Sequence, residues 1–135
     1  MANALYDKGR QKFLEGSVAW LTDDIKVVLV DGADYTVNLG THEFLSDVAS
    51  GGRVATSGNL ASKSSTAGVA DAADVTLTGV SGDQSEAVVI YKDTGSAATS
   101  PLIAYIDTAT GLPVTPNSAD INIAWDNGSN KIFKL

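Results

Sequence analysis

The run Ile25-Lys26-Val27-Val28-Leu29-Val30 constrains the fold more than any other stretch of the chain. It is β-branched and nearly continuous in apolar character, so it reads as a strand with both faces covered. Asp31-Gly32 then ends it with a turn. Two more segments share this plan: Glu86–Lys92 and Leu102–Asp107 each have an apolar centre and an aromatic residue near the exit. With the turn Asp93-Thr94-Gly95 between them, they are expected to pair as an antiparallel hairpin at the heart of the sheet.

The other strand signals are weaker. Tyr35-Thr36-Val37-Asn38-Leu39 alternates apolar and polar residues as a half-buried strand does, Val75–Thr78 also reads as extended, and one weak strand is expected around Arg53–Leu60. Ile121–Trp125 alternates too, and Asp126-Asn127-Gly128-Ser129 follows it with the Asn-Gly pair favoured in hairpins. Ile132–Leu135 is therefore expected to pair back onto Ile121–Trp125, although a strand in that place can also be offered to a neighbour.

Helical signals are few. Leu5, Tyr6, Gly9, Phe13 and Leu14 follow a helical spacing within residues 2–15, with Gly16 placed as the terminating glycine. Gly9 inside that run costs roughly 1 kcal/mol against Ala, so the helix must rely on packing. Thr41–Val48 reads as a second, short helix with Thr41 as N-cap. Val18–Leu21 is apolar and either helical or extended, and Pro113 and Pro116 confine residues 112–117 to an edge or loop. Residues 53–74 are rich in small side chains and read as an extended loop or arm that can reach a partner.

Thirteen glycines and many Ser, Thr, Asp and Asn residues supply frequent turns between short strands. The expected fold is therefore mainly β: an antiparallel β-sandwich or jelly-roll-like domain with an N-terminal helix in residues 1–16 and one short additional helix. A chain of 135 residues fits a single domain, 1–135.

Composition excludes several functions. A net charge of −7 argues against nucleic acid as a direct partner, since phosphate binding needs clustered cations. Lys8, Arg10 and Lys12 form a local basic cluster that reads as a solvated helix face. There is no cysteine, hence no disulfide or thiolate chemistry, which fits synthesis in a cytoplasm. Met1–Asp7 has no apolar core of a signal peptide, and no apolar run approaches the ~20 residues that span a bilayer. Asn127-Gly128-Ser129 matches a glycosylation sequon but reads better as a turn.

Candidate chemistry is sparse. His42 is the one histidine, and neither a Gly-x-Ser-x-Gly elbow nor a cysteine nucleophile accompanies it. Asp71, Asp74 and the pair Asp23-Asp24 could hold calcium only as a loose loop site, because the EF-hand pattern is missing. Trp20, Trp125, Tyr35, Tyr91 and Tyr105 could form a sugar platform, but each lies in an apolar segment where core packing is the commoner fate. Gly51-Gly52 and Gly79-Val80-Ser81-Gly82 lack the lysine and serine of a phosphate loop. No catalytic, cofactor-binding or metal residue is therefore assigned, and a role in a surface is expected instead of a reaction.

Four segments carry a resemblance. Asn3–Leu14, Ile25–Asp31, Gly82–Asp93 and Trp125–Leu135 are similar to small structural proteins of tailed bacteriophages, and the resemblance runs from the first helix to the last strand. It implies a component of the virion. The expected role is a head decoration or cement protein on the exterior of the head, made in the host cytoplasm, that binds and stabilises the major capsid protein shell. It would also self-associate as a dimer or trimer. A tail or head–tail adaptor component and a carbohydrate-binding β-module are the alternatives. The resemblance carries over no functional residue.

Overall fold

A computed structural model describes residues 3–135; Met1 and Ala2, where the first helix was expected to begin, lie outside the described residues. The fold is mainly β. The strands are β1 (Ala4–Leu5), β2 (Ile25–Val30), β3 (Arg53–Thr56), β4 (Val69–Ala70), β5 (Val75–Leu77), β6 (Ala87–Lys92), β7 (Leu102–Ile106), β8 (Ile121–Ile123) and β9 (Phe133–Lys134). One α-helix, α1 (Asp7–Leu14), follows β1. An antiparallel sheet in the order β1-β7-β6-β2-β3 forms the body, and β4–β9 and β5–β8 make two separate two-stranded sheets.

The strong strands behave as their sequences demand. β2 pairs with β6 along its whole length, from Ile25 opposite Lys92 to Val30 opposite Ala87. The expected hairpin of β6 and β7 sits at the centre of the sheet, with one irregularity: Ile90 faces Ala104 and Tyr91 faces Leu102, which leaves Ile103 as an extra residue. Alternation along β2 explains its continuous apolar character. Ile25, Val27 and Leu29 enter one core with Val88, Ile90, Leu77 and Ala70, so the β4–β9 and β5–β8 sheets cover that face. Val28 and Val30 enter a second core with Val89, Tyr91, Tyr6, Tyr35 and Val48, which the loop segment after β2 covers. The polar member, Lys26, sits on this second face and pairs with Asp93 at 2.7 Å.

The helix is shorter than expected, because Ala4 and Leu5 are taken by β7 as an edge strand before α1 begins. Gly16 terminates it at φ +74°, the left-handed conformation that glycine adopts without strain. Gly9 has a different role. A Cβ placed there would lie 2.6 Å from the Leu102 carbonyl oxygen and 3.1 Å from Ile103 Cα, so glycine lets α1 touch the β7 backbone.

Three expectations give way to tertiary structure. Tyr35–Leu39 is not a strand: Tyr35, Val37 and Leu39 do face the second core, but the Leu39 carbonyl accepts the Asp7 N–H and no strand lies alongside. Thr41–Val48 holds only a 3-10 turn at Leu45–Asp47, and Thr41 caps nothing there. The Asp47 carboxylate instead takes the N–H groups of Glu43 (2.8 Å) and Phe44 (3.0 Å).

The third is the expected hairpin of Ile121–Trp125 with Ile132–Leu135, which does not form: β8 pairs with β5, and β9 pairs with β4. A two-residue hairpin turn of the Asn-Gly kind needs positive φ at both central residues. Neither Asn127 nor Gly128 has it, whereas Lys131 does at φ +45°. Trp125 is held elsewhere, its N–H by Asp74 Oδ1 (3.0 Å) and its indole by the Ala73 carbonyl (3.1 Å). Residues 53–74 also fold back onto the body: β3 extends the main sheet, and Leu60, Ala70 and Ala72 are buried in the first core.

Candidate partner-binding surface

The residues singled out for chemistry are used by the fold. The Tyr6 hydroxyl is buried and lies 2.8 Å from that of Tyr35, which lies 2.8 Å from His42 Nδ1. The Asn38 N–H also points at Nδ1 (3.2 Å), which makes this nitrogen an acceptor and sets the direction of the relay: Tyr6 donates to Tyr35, and Tyr35 to His42. Burial pushes both phenols up, Tyr35 to about 12, so neither serves as an acid or base near neutrality.

Three of the four acidic candidates are engaged by separate partners, and Asp71 bonds Ser64 through its main chain. Asp23 Oδ2 accepts the Ala19 N–H (2.7 Å) and pairs with Lys92 (3.1 Å), Asp24 accepts from Asn59, and Asp74 caps Trp125. Partial burial opposes ionisation of Asp23, but the Ala19 N–H and Lys92 outweigh it and hold its pKa below the usual range. These carboxylates do not converge. The structure instead brings Asp31, Asp34 and Asp83 within 4.8 Å of one another, a grouping invisible in sequence because Asp83, in the loop before β6, is brought beside Asp31 only by the pairing of Val30 with Ala87. Asp31 is already committed to the Ala33 N–H (2.8 Å), and Asp34 and Asp83 are exposed to water.

The five aromatic candidates for a sugar platform are all buried. Trp20 and Trp125 are only 6% and 8% exposed, and Tyr35, Tyr91 and Tyr105 belong to the second core, so none presents a flat face to solvent.

A surface feature stands out where α1, β1 and β9 meet. Phe133 on β9 packs edge-on against Trp20 (ring centroids 5.2 Å) and lies 6.0 Å from Phe13. This aromatic cluster lines a small apolar cleft of about 70 Å³ that Leu135 also borders. Among the described residues, the exposed large apolar ones are Leu14, Leu21 and Leu135, at 89%, 53% and 59% exposure. Each adjoins the cluster in sequence: Leu14 follows Phe13, Leu21 follows Trp20, and Leu135 lies two residues beyond Phe133. On the other side of β9 runs a wider groove of about 280 Å³, walled by β1 and β9 and floored by β7.

Sequence reasoning reached this end of the molecule only in part. The terminal strand was expected to pair within its own sheet, with the option of being offered to a neighbour, and the arm 53–74 was expected to reach a partner; the groove was not foreseen, because it depends on β9 pairing with β4 and not with β8. Among the described residues, no helix is long and apolar enough to cross a membrane. No protein-family model matches this chain, and no curated protein sequence matches it.

Proposed function

We propose that this chain is a structural protein of a tailed-bacteriophage virion, a decoration or cement protein that binds the assembled major capsid protein on the head exterior and stiffens the shell. The observation that supports this most is the concentration of association surface at one end of the molecule. There the exposed Leu135, an aromatic cleft and the strands β1 and β9 adjoin, while Tyr6, Tyr35 and His42 are consumed in internal hydrogen bonds. Unpaired strand edges invite strand addition, and exposed apolar residues beside them supply burial on docking. The protein acts without catalysis, cofactor or metal, and associates with itself as a dimer or trimer on the shell. Its net charge of −7 disfavours contact with packaged DNA and favours the outer surface.

The test is to add purified protein to undecorated heads and measure their resistance to heat or chelator. Binding in many copies with increased resistance supports the reading. Absence of binding, together with a low copy number in virions, overturns it, and a count of about six or twelve per particle would assign the chain to a tail or neck ring.

A further inference from the structure

Asn127-Gly128 is a strong turn sequence that the fold does not use as one, since neither residue has the positive φ that the hairpin turn requires. Both residues are exposed, in the loop between β8 and β9. The chain has seven asparagines, and most of them have a side chain engaged in the fold. Asn3 bonds the main chain of Asp107 and Thr108, Asn38 accepts the Gly40 and Thr41 N–H groups, and Asn59 donates to Asp24. Asn117 accepts the Ala119 N–H, and Asn122 accepts from the Thr76 hydroxyl. Among the described residues, the Asn127 side chain has no hydrogen-bond partner, and neither has the Gly128 N–H.

This leaves two groups free that can react with each other. Joining the Gly128 nitrogen to Asn127 Cγ closes a five-membered ring, and the two atoms are held close by the chain itself. A hydrogen bond to either group would have to break first, and a side chain at 128 would crowd the approach; glycine has none. The Gly128 carbonyl accepts the Lys131 N–H (3.3 Å), which leaves the nitrogen untouched. The loop is also pinned on both sides. Trp125 is held by Asp74 and the Ala73 carbonyl, and the Ile132 N–H is donated to the Ala70 carbonyl (3.1 Å), so a change at 127 is absorbed between these anchors.

We infer that Asn127 is a site of spontaneous deamidation, through a cyclic imide formed with Gly128. The Gly128 nitrogen gives its proton to water or hydroxide and attacks Asn127 Cγ. A C–N bond forms there, and the side-chain amide nitrogen leaves as ammonia, taking a proton from water. Water then opens the imide. Cleavage of the bond to Cγ gives aspartate on an unchanged main chain, and cleavage of the bond to the main-chain carbonyl carbon gives isoaspartate, whose Cβ has entered the main chain. The sum is asparagine plus water going to a carboxylate plus ammonium, with nothing oxidised or reduced. The net charge of −7 becomes more negative by one, and a second carboxylate stands beside Asp126. The same loop supplies Asn130 to the wall of the groove, so the surface at this end of the molecule changes as the protein ages. None of this depends on the function proposed above.

The test is to hold the purified full chain at mildly alkaline pH and follow its intact mass with time. Proteolytic peptides are then fragmented by a method that separates aspartate from isoaspartate. The expected result is a gain of about 1 Da per chain, confined to the peptide carrying residue 127, with both isomers present and a rate that rises with pH. Gly128→Ala should slow the gain several-fold. Its Cβ would meet only the Asp126 side chain, 2.8 Å from Oδ2, and that exposed carboxylate can turn aside. Asn127→Gln, which would need a six-membered ring, should remove the gain on the same time scale. Both variants should keep the parent's tryptophan emission and urea midpoint. No mass gain, a gain that begins at another asparagine, or one seen only in urea-unfolded protein would overturn the inference. So would aspartate without isoaspartate, or a Gly128→Ala protein that reacts as fast as the parent, because either result means direct hydrolysis without the imide.

Discussion

Replacing Gly9 by alanine separates helix propensity from packing. In an isolated helix the change would stabilise by about 1 kcal/mol, since glycine has the higher entropy to lose. Here the new Cβ would fall 2.6 Å from the Leu102 carbonyl oxygen and 3.1 Å from both the Cα and the carbonyl oxygen of Ile103. These are backbone atoms of a central hairpin strand and cannot swing aside as the tip of a flexible side chain could. α1 must therefore lift from β7, at a cost of about 1–3 kcal/mol for overpacking, which exceeds the propensity gain over most of that range. The expected net loss is about 1 kcal/mol, seen as a urea midpoint lower by roughly 0.5–1 M at an ordinary slope of 1–2 kcal/mol/M. Gln11→Ala, on the exposed face of the same helix, is the control and should stay within about 0.5 kcal/mol of the parent. A Gly9→Ala protein as stable as the parent, or more stable, would refute the close approach of α1 to β7.

Ser57 is buried beyond the end of β3, where its hydroxyl accepts the Val27 N–H (2.9 Å) and donates to the Gly58 carbonyl (2.8 Å). Ser57→Ala should cost about 1–3 kcal/mol by equilibrium unfolding, because the Val27 donor is left buried without an acceptor. Phe133→Ala should cost about 2–3 kcal/mol, somewhat less than for a fully buried phenylalanine, and should change Trp20 fluorescence, since the two rings meet edge-on. Asp93 is held below its usual pKa by Lys26 and the Gly95 N–H, and Asp47 by the Glu43 and Phe44 N–H groups, which outweigh the opposing effect of burial. A depressed carboxylate pKa adds stability that is complete above the unfolded value of about 4 and is lost as pH falls through the lower folded value. The urea midpoint should therefore fall between pH 5 and pH 2 (to be read at about one-unit steps), and Asp93→Asn should shallow that fall.

The parts of the fold legible in sequence are those whose signal is local and strong. β2, β6 and β7 are runs of β-branched and aromatic residues long enough to define strands, and their order along the chain dictates an antiparallel hairpin. Gly16 likewise marked the end of α1. The failures share one cause. Tyr35–Leu39 has the alternation of a strand because one side faces a core, and that alternation does not reveal whether a neighbour exists to share hydrogen bonds. The pairing of β9 with β4 depends on residues more than sixty positions apart, on the anchoring of Trp125 by Asp74, and on a turn that declines the Asn-Gly geometry. The groove inherits this: its two walls come from opposite ends of the sequence. The aromatic residues were read correctly as core, since each sits in an apolar segment.

We propose that this protein works by binding the assembled head shell through one end of its β domain. Titrating purified protein into undecorated heads, with bound copies counted and heat resistance followed in the same samples, tests it most directly. The expected result is saturation at hundreds of copies and heads that survive to a higher temperature. Heads that bind no protein, or that bind it without any gain in resistance, would contradict it.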